Sequence, residues 1–317
     1  MDAIFQLILL AVGFVMLIKG ADWFVDGAAG IAGRMGIPQL VIGLTIVAMG
    51  TSAPEAAVSI SAAFKGNADI TIGNIVGSNI LNILIILGIS SMITPLKVAK
   101  STIRYEIPFM IVVTLILMAM GMSGTITFVN GLILWGCFIA YFIYLFMLTK
   151  KQPELSGEGA DAADGTDYKE LSVPKALLFI AIGLVLIIAG SNVAVDAATE
   201  LARAFGLSER FIGLTIVALG TSLPELVTSV LAARKGNADI AIGNIVGSNI
   251  FNILFVVGTS ALIIPITFAP AFITDCIVAA GAAVLLLVCC LRGRRLSRLA
   301  GVLMLISYAA YFAFILM

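Results

Sequence analysis

The sequence has 317 residues, of which 61% are hydrophobic and 11% charged, with 18 basic and 18 acidic side chains. A soluble domain has roughly 25% charged residues, so the composition indicates an all-α integral membrane protein. The zero net charge excludes an electrostatic surface for nucleic acid. The absence of histidine excludes Ser-His and Cys-His catalysis as well as His-ligated metal sites.

Hydropathy predicts ten transmembrane helices. We place them near residues 3–32, 38–64, 69–92, 103–121, 125–149, 173–203, 208–233, 239–263, 270–291 and 297–316. The N-terminal segment has no positively charged region before Lys19, so we expect a first helix rather than a signal peptide. Residues 150–172 are acidic and rich in Gly and Ala, which predicts a flexible linker.

The sequence repeats itself at an offset of 170 residues. GLTIVAMGTSAPE, which ends at Glu55, returns as GLTIVALGTSLPE, which ends at Glu225. GNADITIGNIVGSNILNIL likewise returns as GNADIAIGNIVGSNIFNIL. Five spans per half require the second copy to enter from the opposite side of the membrane. Residues 1–149 and 173–317 are therefore predicted to form two inverted five-helix repeats, an arrangement typical of secondary transporters.

The distribution of Lys and Arg predicts the orientation. Fourteen of the 18 basic residues lie in the loops after spans 1, 3, 5, 7 and 9. This side is predicted to be cytoplasmic. We therefore expect a multi-pass protein of the cell membrane with both termini extracellular and the linker 150–172 cytoplasmic.

Each of the two signatures places a proline and a carboxylate at the end of an apolar segment. Pro54 has no N–H and its ring clashes with the carbonyl of Gly50, so the helix should kink and leave carbonyls from Ala48 to Gly50 unpaired. Thr51 and Glu55 share a helix face. Hard oxygen ligands of this kind suit Na⁺ and Ca²⁺.

A carboxylate within the membrane is costly and usually marks a functional site. Glu55 and Glu225 together carry two negative charges, which one Ca²⁺ neutralises and which two or more Na⁺ ions can share. Spans 3 and 8 add polar side chains four residues apart on one face. The candidate ion ligands are Glu55, Glu225, Thr51, Ser52, Thr221, Ser222, the backbone carbonyls of Ala48 and Ala218, and Ser78, Asn82, Ser248 and Asn252.

Other polar residues in the spans receive structural interpretations. Asp26 and Asp196 lie toward helix ends and are predicted to be structural. Asn79 and Asn249 lie off the ligand face, so we expect them to bind neighbouring backbone. Glu106, which lies beside Arg104, is predicted to be interfacial.

The paired motifs GTSAPE and GTSLPE, each followed by GNIVGSNIxNI, resemble the two alpha repeats of the sodium/calcium exchanger family, within the wider cation/calcium antiporters. The resemblance covers the whole chain and implies a prokaryotic-type member without regulatory domains. It implies ions bound between helices 2, 3, 7 and 8 on the ligand set above, with helices 1 and 6 as the sliding pair. It implies no cofactor, since Na⁺ and Ca²⁺ bind as substrates. The expected partners are these ions and the lipid bilayer, and a monomer is compatible with the sequence.

The first hypothesis is therefore a Na⁺/Ca²⁺ antiporter and not an enzyme. An H⁺/Ca²⁺ antiporter on the same scaffold is the alternative, although the proton-coupled branch of the family carries Asn where Thr51 and Thr221 stand. A membrane hydrolase using Ser52 or Ser222 lacks both a histidine and a nearby lysine. A passive channel would need a continuous pore.

Overall fold

The computed structural model describes residues 3–66, 69–150, 171–206 and 218–316. These residues form helices joined by short loops and four two-residue strands. The helices of the first half are α1 (Ala3–Met35), α2 (Gln39–Thr51), α3 (Ala53–Phe64), α4 (consecutive segments Asp69–Leu81, Asn82–Leu87 and Gly88–Ile93), α5 (Thr102–Gly121) and α6 (Phe128–Lys150). Those of the second half are α7 (Val173–Ala204), α8 (Ala218–Thr221), α9 (Leu223–Arg234), α10 (Ala238–Ile263), α11 (Ala271–Leu291) and α12 (Arg298–Leu316).

Within the described ranges, eight helices are long and apolar enough to cross a membrane, or nine if the bent pair α2–α3 is one span. The protein is thus an all-α membrane protein, and these spans begin and end within about three residues of the predicted boundaries. The first part of the predicted seventh span, residues 208–217, lies outside the described residues, as does most of the predicted linker.

The predicted kink in the second span is confirmed. The axes of α2 and α3 differ by 51°, and the helix breaks at Ser52, two residues before Pro54. The structure adds π-helical turns that the hydropathy pattern does not reveal, two of which begin at Asn82 and Asn252. Such turns are frequent at functional sites, and these two occupy matching positions in the two halves.

The two longest helices, α1 and α7, pack closely along their length. A Cβ atom built on Gly13 would lie 2.7 Å from the backbone nitrogen of Ala194, and one on Gly20 would lie 2.8 Å from the carbonyl oxygen of Gly183. A Cβ atom built on Gly27 would lie 2.6 Å from the carbonyl oxygen of Ala176, near the start of α7. Successive glycines of α1 therefore contact progressively earlier residues of α7, so the two helices run antiparallel. Small residues at these positions let the two backbones approach closely.

Two short strand pairs connect the halves of the chain. Strand β1 (Leu96–Lys97) pairs with β4 (Arg295–Leu296), and β2 (Thr125–Ile126) pairs with β3 (Ile266–Thr267), both antiparallel. Of the eight described candidate spans, α10 is the most enclosed, followed by α4. The site described next is built around these two helices and the bent pair α2–α3.

Candidate ion-binding site

Two carboxylates lie in the first turns of helices α3 and α9. Glu55 is 1% exposed and Glu225 is inaccessible to solvent. Each accepts a hydrogen bond from a serine of the other half: Ser52 Oγ donates to Glu225 Oε1 at 2.8 Å, and Ser222 Oγ donates to Glu55 Oε1 at 3.4 Å. The break before each helix therefore places a serine of one repeat against the carboxylate of the other.

The second oxygen of each carboxylate has no hydrogen-bond partner. Glu55 Oε2 and Glu225 Oε2 are both buried and unpartnered, and neither carboxylate pairs with a Lys or Arg in the part of the chain that the structure describes. The positive end of each helix dipole offers some stabilisation. An uncompensated buried charge nevertheless costs several kcal/mol. A positively charged species bound between the helices would therefore stabilise these two carboxylates.

The expectation that the Ala48 carbonyl is left unpaired is wrong. The Ser52 N–H donates to the Ala48 carbonyl oxygen at 3.0 Å, because the helix breaks only after this bond has formed. The Ser248 hydroxyl lies 3.3 Å from the same oxygen. Predicted site residues from the second and eighth spans are thus in direct contact.

Four asparagines link α4 to α10 at the centre of the bundle. Asn79 Nδ2 donates to the Asn249 carbonyl oxygen, and Asn249 Nδ2 donates to the Asn79 carbonyl oxygen, both at 3.1 Å. Asn82 Nδ2 donates to Asn249 Oδ1 at 3.0 Å, and Asn252 Nδ2 donates to Asn79 Oδ1 at 3.1 Å. The prediction that Asn79 and Asn249 bind backbone is confirmed, but the backbone belongs to the opposite half.

This network determines how the amides of Asn82 and Asn252 are oriented. A backbone carbonyl can only accept, so the group of Asn249 that faces Asn79 must be its NH₂, and its Oδ1 faces Asn82. The NH₂ of Asn82 must then point toward Asn249. As a result, Asn82 Oδ1 and, by the mirror-image chain, Asn252 Oδ1 are buried without a partner.

The structure also shows two asparagines, absent from the predicted ligand set, that contact candidate ligands: Asn244 at Thr51 and Asn74 at the Glu55 carbonyl. The Thr51 hydroxyl lies 2.9 Å from Asn244 Oδ1, and Asn244 Nδ2 donates to Ser229 Oγ at 2.9 Å. In the first half, Asn74 Nδ2 donates to Ser59 Oγ at 3.0 Å. Residues 74, 78 and 82 are spaced by four, so extending the predicted ligand face by one turn would have included Asn74 and its repeat Asn244.

The remaining candidate ligands are placed as follows. Ser78 is buried in α4, and Thr221 is half-buried at the end of α8. Ala218 begins α8, and its side chain lies outside the described part of the structure. In the described ranges, no cluster of three or more His, Cys, Asp or Glu residues is positioned to hold a metal. Any cation here would therefore be held by two carboxylates together with neutral oxygen atoms.

The other carboxylates in the spans differ in their exposure to solvent and in their partners. Lys235 Nζ lies 2.6 Å from Oδ1 of Asp22 and 2.6 Å from Oδ1 of Asp26, which supports a structural role for Asp26. Asp196 is exposed. Glu106 lies in the turn that opens α5, so the prediction that it is interfacial stays a prediction. Its side chain is nevertheless fully buried in the protein, and Tyr144 of α6 donates to it.

Comparison with known proteins identifies the family. The family described as sodium/calcium exchanger protein matches residues 5–149 and 175–317. The sodium/calcium exchanger MaX1 of Methanosarcina acetivorans is 31% identical over 96% of both chains. The inner membrane protein YrbG of Escherichia coli is 39% identical over 81% of this chain and 79% of its own.

The solved structures give the same result. A structure of the sodium-calcium exchanger NCX_Mj superimposes with a TM-score of 0.84 at 30% identity, covering 99% of this chain and 100% of the other. Because the match covers 99% of this chain, it extends over both of its halves. On the family match, the whole-length relatives and the shared structure, the chain belongs to the sodium/calcium exchanger family.

Proposed function

We propose that this protein is a secondary-active antiporter that exchanges Na⁺ for Ca²⁺ by alternating access. The observation that carries the proposal is a set of four buried oxygen atoms that have no hydrogen-bond partner among the described residues. They belong to two carboxylates and two amides on four different helices: Glu55 Oε2, Glu225 Oε2, Asn82 Oδ1 and Asn252 Oδ1. Hard cations such as Na⁺ and Ca²⁺ bind oxygen ligands of this kind.

The charge balance supports exchange rather than simple binding. When Glu55 and Glu225 are both ionised, the empty site carries two negative charges that no basic side chain in the described residues neutralises. The conformational change that carries this empty, charged site past apolar surroundings is costly, whereas the same change is easier when bound cations neutralise the site. One Ca²⁺ or at least two Na⁺ ions neutralise the same pair of carboxylates, so their binding is mutually exclusive.

The full ligand set of the proposal extends beyond these four atoms. It comprises the hydroxyls of Thr51, Ser52, Thr221 and Ser222 and the backbone carbonyls of Ala48 and Ala218. The Ser78 and Ser248 side chains complete it on α4 and α10. The contacts Ser52–Glu225 and Ser248–Ala48 support the inclusion of residues from both halves in one site near the membrane midplane. In this scheme, the ions lie between the second, third, seventh and eighth spans.

The strand pairs support ten membrane crossings. Pairing of β1 with β4 places residues 97 and 295 on the same side of the membrane. Five described candidate spans, α5, α6, α7, α10 and α11, lie between them. An odd number of crossings would separate the two strands, which supports one more crossing by the predicted seventh span, of which α9 is the described part. The β2–β3 pair leads to the same requirement, since three candidate spans separate its strands.

Ten crossings divide into five for residues 1–149 and five for residues 173–317, with 150–172 as linker. The second half then has inverted topology, and the antiparallel packing of α1 against α7 is consistent with this arrangement. With the basic loops facing the cytoplasm, both termini are extracellular. The close, glycine-lined contact between α1 and α7 is suited to helices that slide as a pair.

Sodium is the coupling ion in this proposal. Thr51 and Thr221 replace the asparagines expected in the proton-coupled branch, and the relatives MaX1 and NCX_Mj are both described as sodium/calcium exchangers. Their match covers nearly the whole chain. An H⁺/Ca²⁺ antiporter remains the alternative, because a buried carboxylate pair can also be neutralised by protons.

The experiment is uptake of radioactive Ca²⁺ by proteoliposomes that contain the purified protein. Vesicles loaded with Na⁺ are diluted into Na⁺-free buffer, and matched vesicles carry a pH gradient instead. The proposal predicts uptake that requires internal Na⁺ and is unaffected by the pH gradient. Uptake that follows the pH gradient without Na⁺ would identify the proton-coupled alternative, and Ca²⁺ flux without any counter-ion would indicate a channel.

A further inference from the structure

A third buried carboxylate lies outside the ion site. Glu106 ends the π-helical turn that opens α5, and its side chain is fully buried. The hydroxyl of Tyr144, on α6, donates to Glu106 Oε1. Glu106 Oε2 has no hydrogen-bond partner in the part of the chain that the structure describes. No hydrogen bond described for Glu106 or Tyr144 reaches a residue of the ion site.

A cavity of about 310 Å³ adjoins this carboxylate between α5 and α6. Its walls are mainly apolar and aromatic, from Phe109, Ala140 and Tyr141, while Arg104 is exposed at its edge. Both helices are candidate membrane spans. An opening between two such helices faces the lipid, so the natural occupant has an apolar body.

The polar atoms around Glu106 favour an occupant with several N–H donors. Two buried oxygen atoms of residues that line the cavity have no hydrogen-bond partner among the described residues: Glu106 Oε2 and Tyr141 Oη. A primary ammonium group carries three N–H donors, enough for both oxygen atoms, and its charge complements the carboxylate. A quaternary ammonium has no N–H donor.

The arginine supplies the complementary charge for a phosphate. Arg104 lies two residues before Glu106, about 3 Å closer to the start of the helix, and its guanidinium lies 5.7 Å from the centre of the Tyr105 ring. Arg binds phosphate through paired N–H donors. The site thus offers a carboxylate for a cation, a guanidinium for an anion and an apolar wall for a chain.

We propose that the cavity between α5 and α6 binds a zwitterionic aminophospholipid of the phosphatidylethanolamine class. Its ammonium contacts Glu106, its phosphate contacts Arg104, and an acyl chain lies along Phe109 and Ala140. Lipid head groups are known to bind in basic pockets between membrane helices. The added feature here is the buried carboxylate, which selects for the amine.

The test compares three lipids with identical acyl chains on the delipidated, purified protein. Phosphatidylethanolamine has both amine and phosphate, phosphatidylcholine lacks N–H donors, and phosphatidylglycerol lacks the amine. Binding is measured by native mass spectrometry and by the rise in melting temperature with lipid concentration. Because a hydrogen bond to a charged group contributes roughly 1.5–3 kcal/mol, we expect phosphatidylethanolamine to bind about ten- to a hundredfold more tightly than the other two.

Two variants locate the effect. Glu106→Gln should abolish the preference for phosphatidylethanolamine over phosphatidylcholine. The control, Asp275→Asn, changes another carboxylate that accepts a bond from a tyrosine, Tyr311, at 2.8 Å, and should keep the preference. Equal affinity of the parent for all three lipids would overturn the proposal without any variant, and so would an undiminished preference in Glu106→Gln. If Glu106→Gln fails to fold, Arg104→Gln on the exposed edge provides a second test. It should weaken the binding of phosphatidylethanolamine and of phosphatidylglycerol alike. Unchanged binding of both lipids would also overturn the proposal.

Discussion

Asn79 and Asn249 each donate a side-chain N–H to the other's backbone carbonyl oxygen at 3.1 Å, although they are 170 residues apart in the chain. This reciprocal contact joins the two central helices α4 and α10. It also holds the amides of Asn82 and Asn252 in the orientation that leaves their oxygen atoms without partners. One pair of asparagines therefore both joins the two halves and orients the two amide oxygens that we propose as neutral ligands.

Replacing Asn79 with Ala should weaken both roles. The change removes the donor to the Asn249 carbonyl and the acceptor for Asn252 Nδ2, which leaves buried polar groups unsatisfied at about 1–3 kcal/mol each. We expect a lower melting temperature in detergent and weaker stabilisation by Ca²⁺. Ser307→Ala, which removes a bond only to the Leu303 carbonyl of its own helix, is the control. A melting curve no different from that of the control would contradict the role assigned to Asn79.

Removing the charge of either site carboxylate should weaken Ca²⁺ binding without lowering the stability of the ion-free protein. Glu55→Gln or Glu225→Gln removes a buried charge that has no basic partner in the described residues, so the ion-free protein should melt at the same or a higher temperature. The additional stabilisation by Ca²⁺ should be lost, because a ligand stabilises only the state that it binds. Titration of the melting temperature with Ca²⁺ measures both effects. Asp275→Asn should retain the full Ca²⁺ response, and a normal response in either Gln variant would exclude that residue as a ligand.

The two serines that cross between the halves should not be equivalent. Ser52 Oγ lies 2.8 Å from Glu225, whereas Ser222 Oγ lies 3.4 Å from Glu55. Hydrogen bonds to charged groups contribute roughly 1.5–3 kcal/mol when well formed. We expect Ser52→Ala to change the apparent Ca²⁺ affinity by about tenfold and Ser222→Ala to change it less. Calorimetric Ca²⁺ titration of the two variants side by side provides the measurement, and the reverse order would contradict the geometry.

The glycine contacts between α1 and α7 predict a defect in transport. In Gly183→Ala the new Cβ would lie 2.7 Å from the Gly20 carbonyl oxygen and 2.7 Å from the Phe24 nitrogen, and neither backbone atom can move without shifting α1. We expect slower Na⁺-dependent Ca²⁺ uptake in proteoliposomes. Gly136 lies on an exposed helix face with no described atom within 4 Å of its built Cβ, so Gly136→Ala should transport normally. Parent-like rates for Gly183→Ala would show that the α1–α7 contact tolerates separation.

The Lys235 ion pairs predict a salt-dependent contribution to stability. Lys235 holds the end of α9 against Asp22 and Asp26 of α1, and all three side chains are partly exposed. Such pairs contribute up to about 1 kcal/mol and are screened by salt. Lys235→Met should therefore lower the melting temperature slightly at low ionic strength, and the difference from the parent should vanish in concentrated choline chloride. Lys65, the exposed repeat partner of Lys235, is the control site for the same substitution. A difference that is independent of salt would assign the effect to packing.

Much of the architecture could be predicted because it depends on local pattern. Apolar runs of sufficient length locate the spans, and Pro54 predicts the bend in the second span, since a missing N–H and a ring clash act within one helical turn. The repetition of GTSAPE as GTSLPE indicated which polar residues matter, since a carboxylate is too costly to place twice in apolar helices without a purpose. The sequence by itself therefore determined the helical membrane fold and the candidate ligands.

The tertiary structure decided how those residues are partnered. Ser52 contacts Glu225 of the other half, the Ala48 carbonyl is already bonded, and the Glu106 side chain is buried beside Tyr144. None of these relationships follows from spacing along one helix, because each depends on a group that another helix brings into contact. Periodicity shows which face of a helix a residue occupies. Which oxygen atoms stay without a hydrogen bond, and are thus open to a cation, depends on how all the helices pack together.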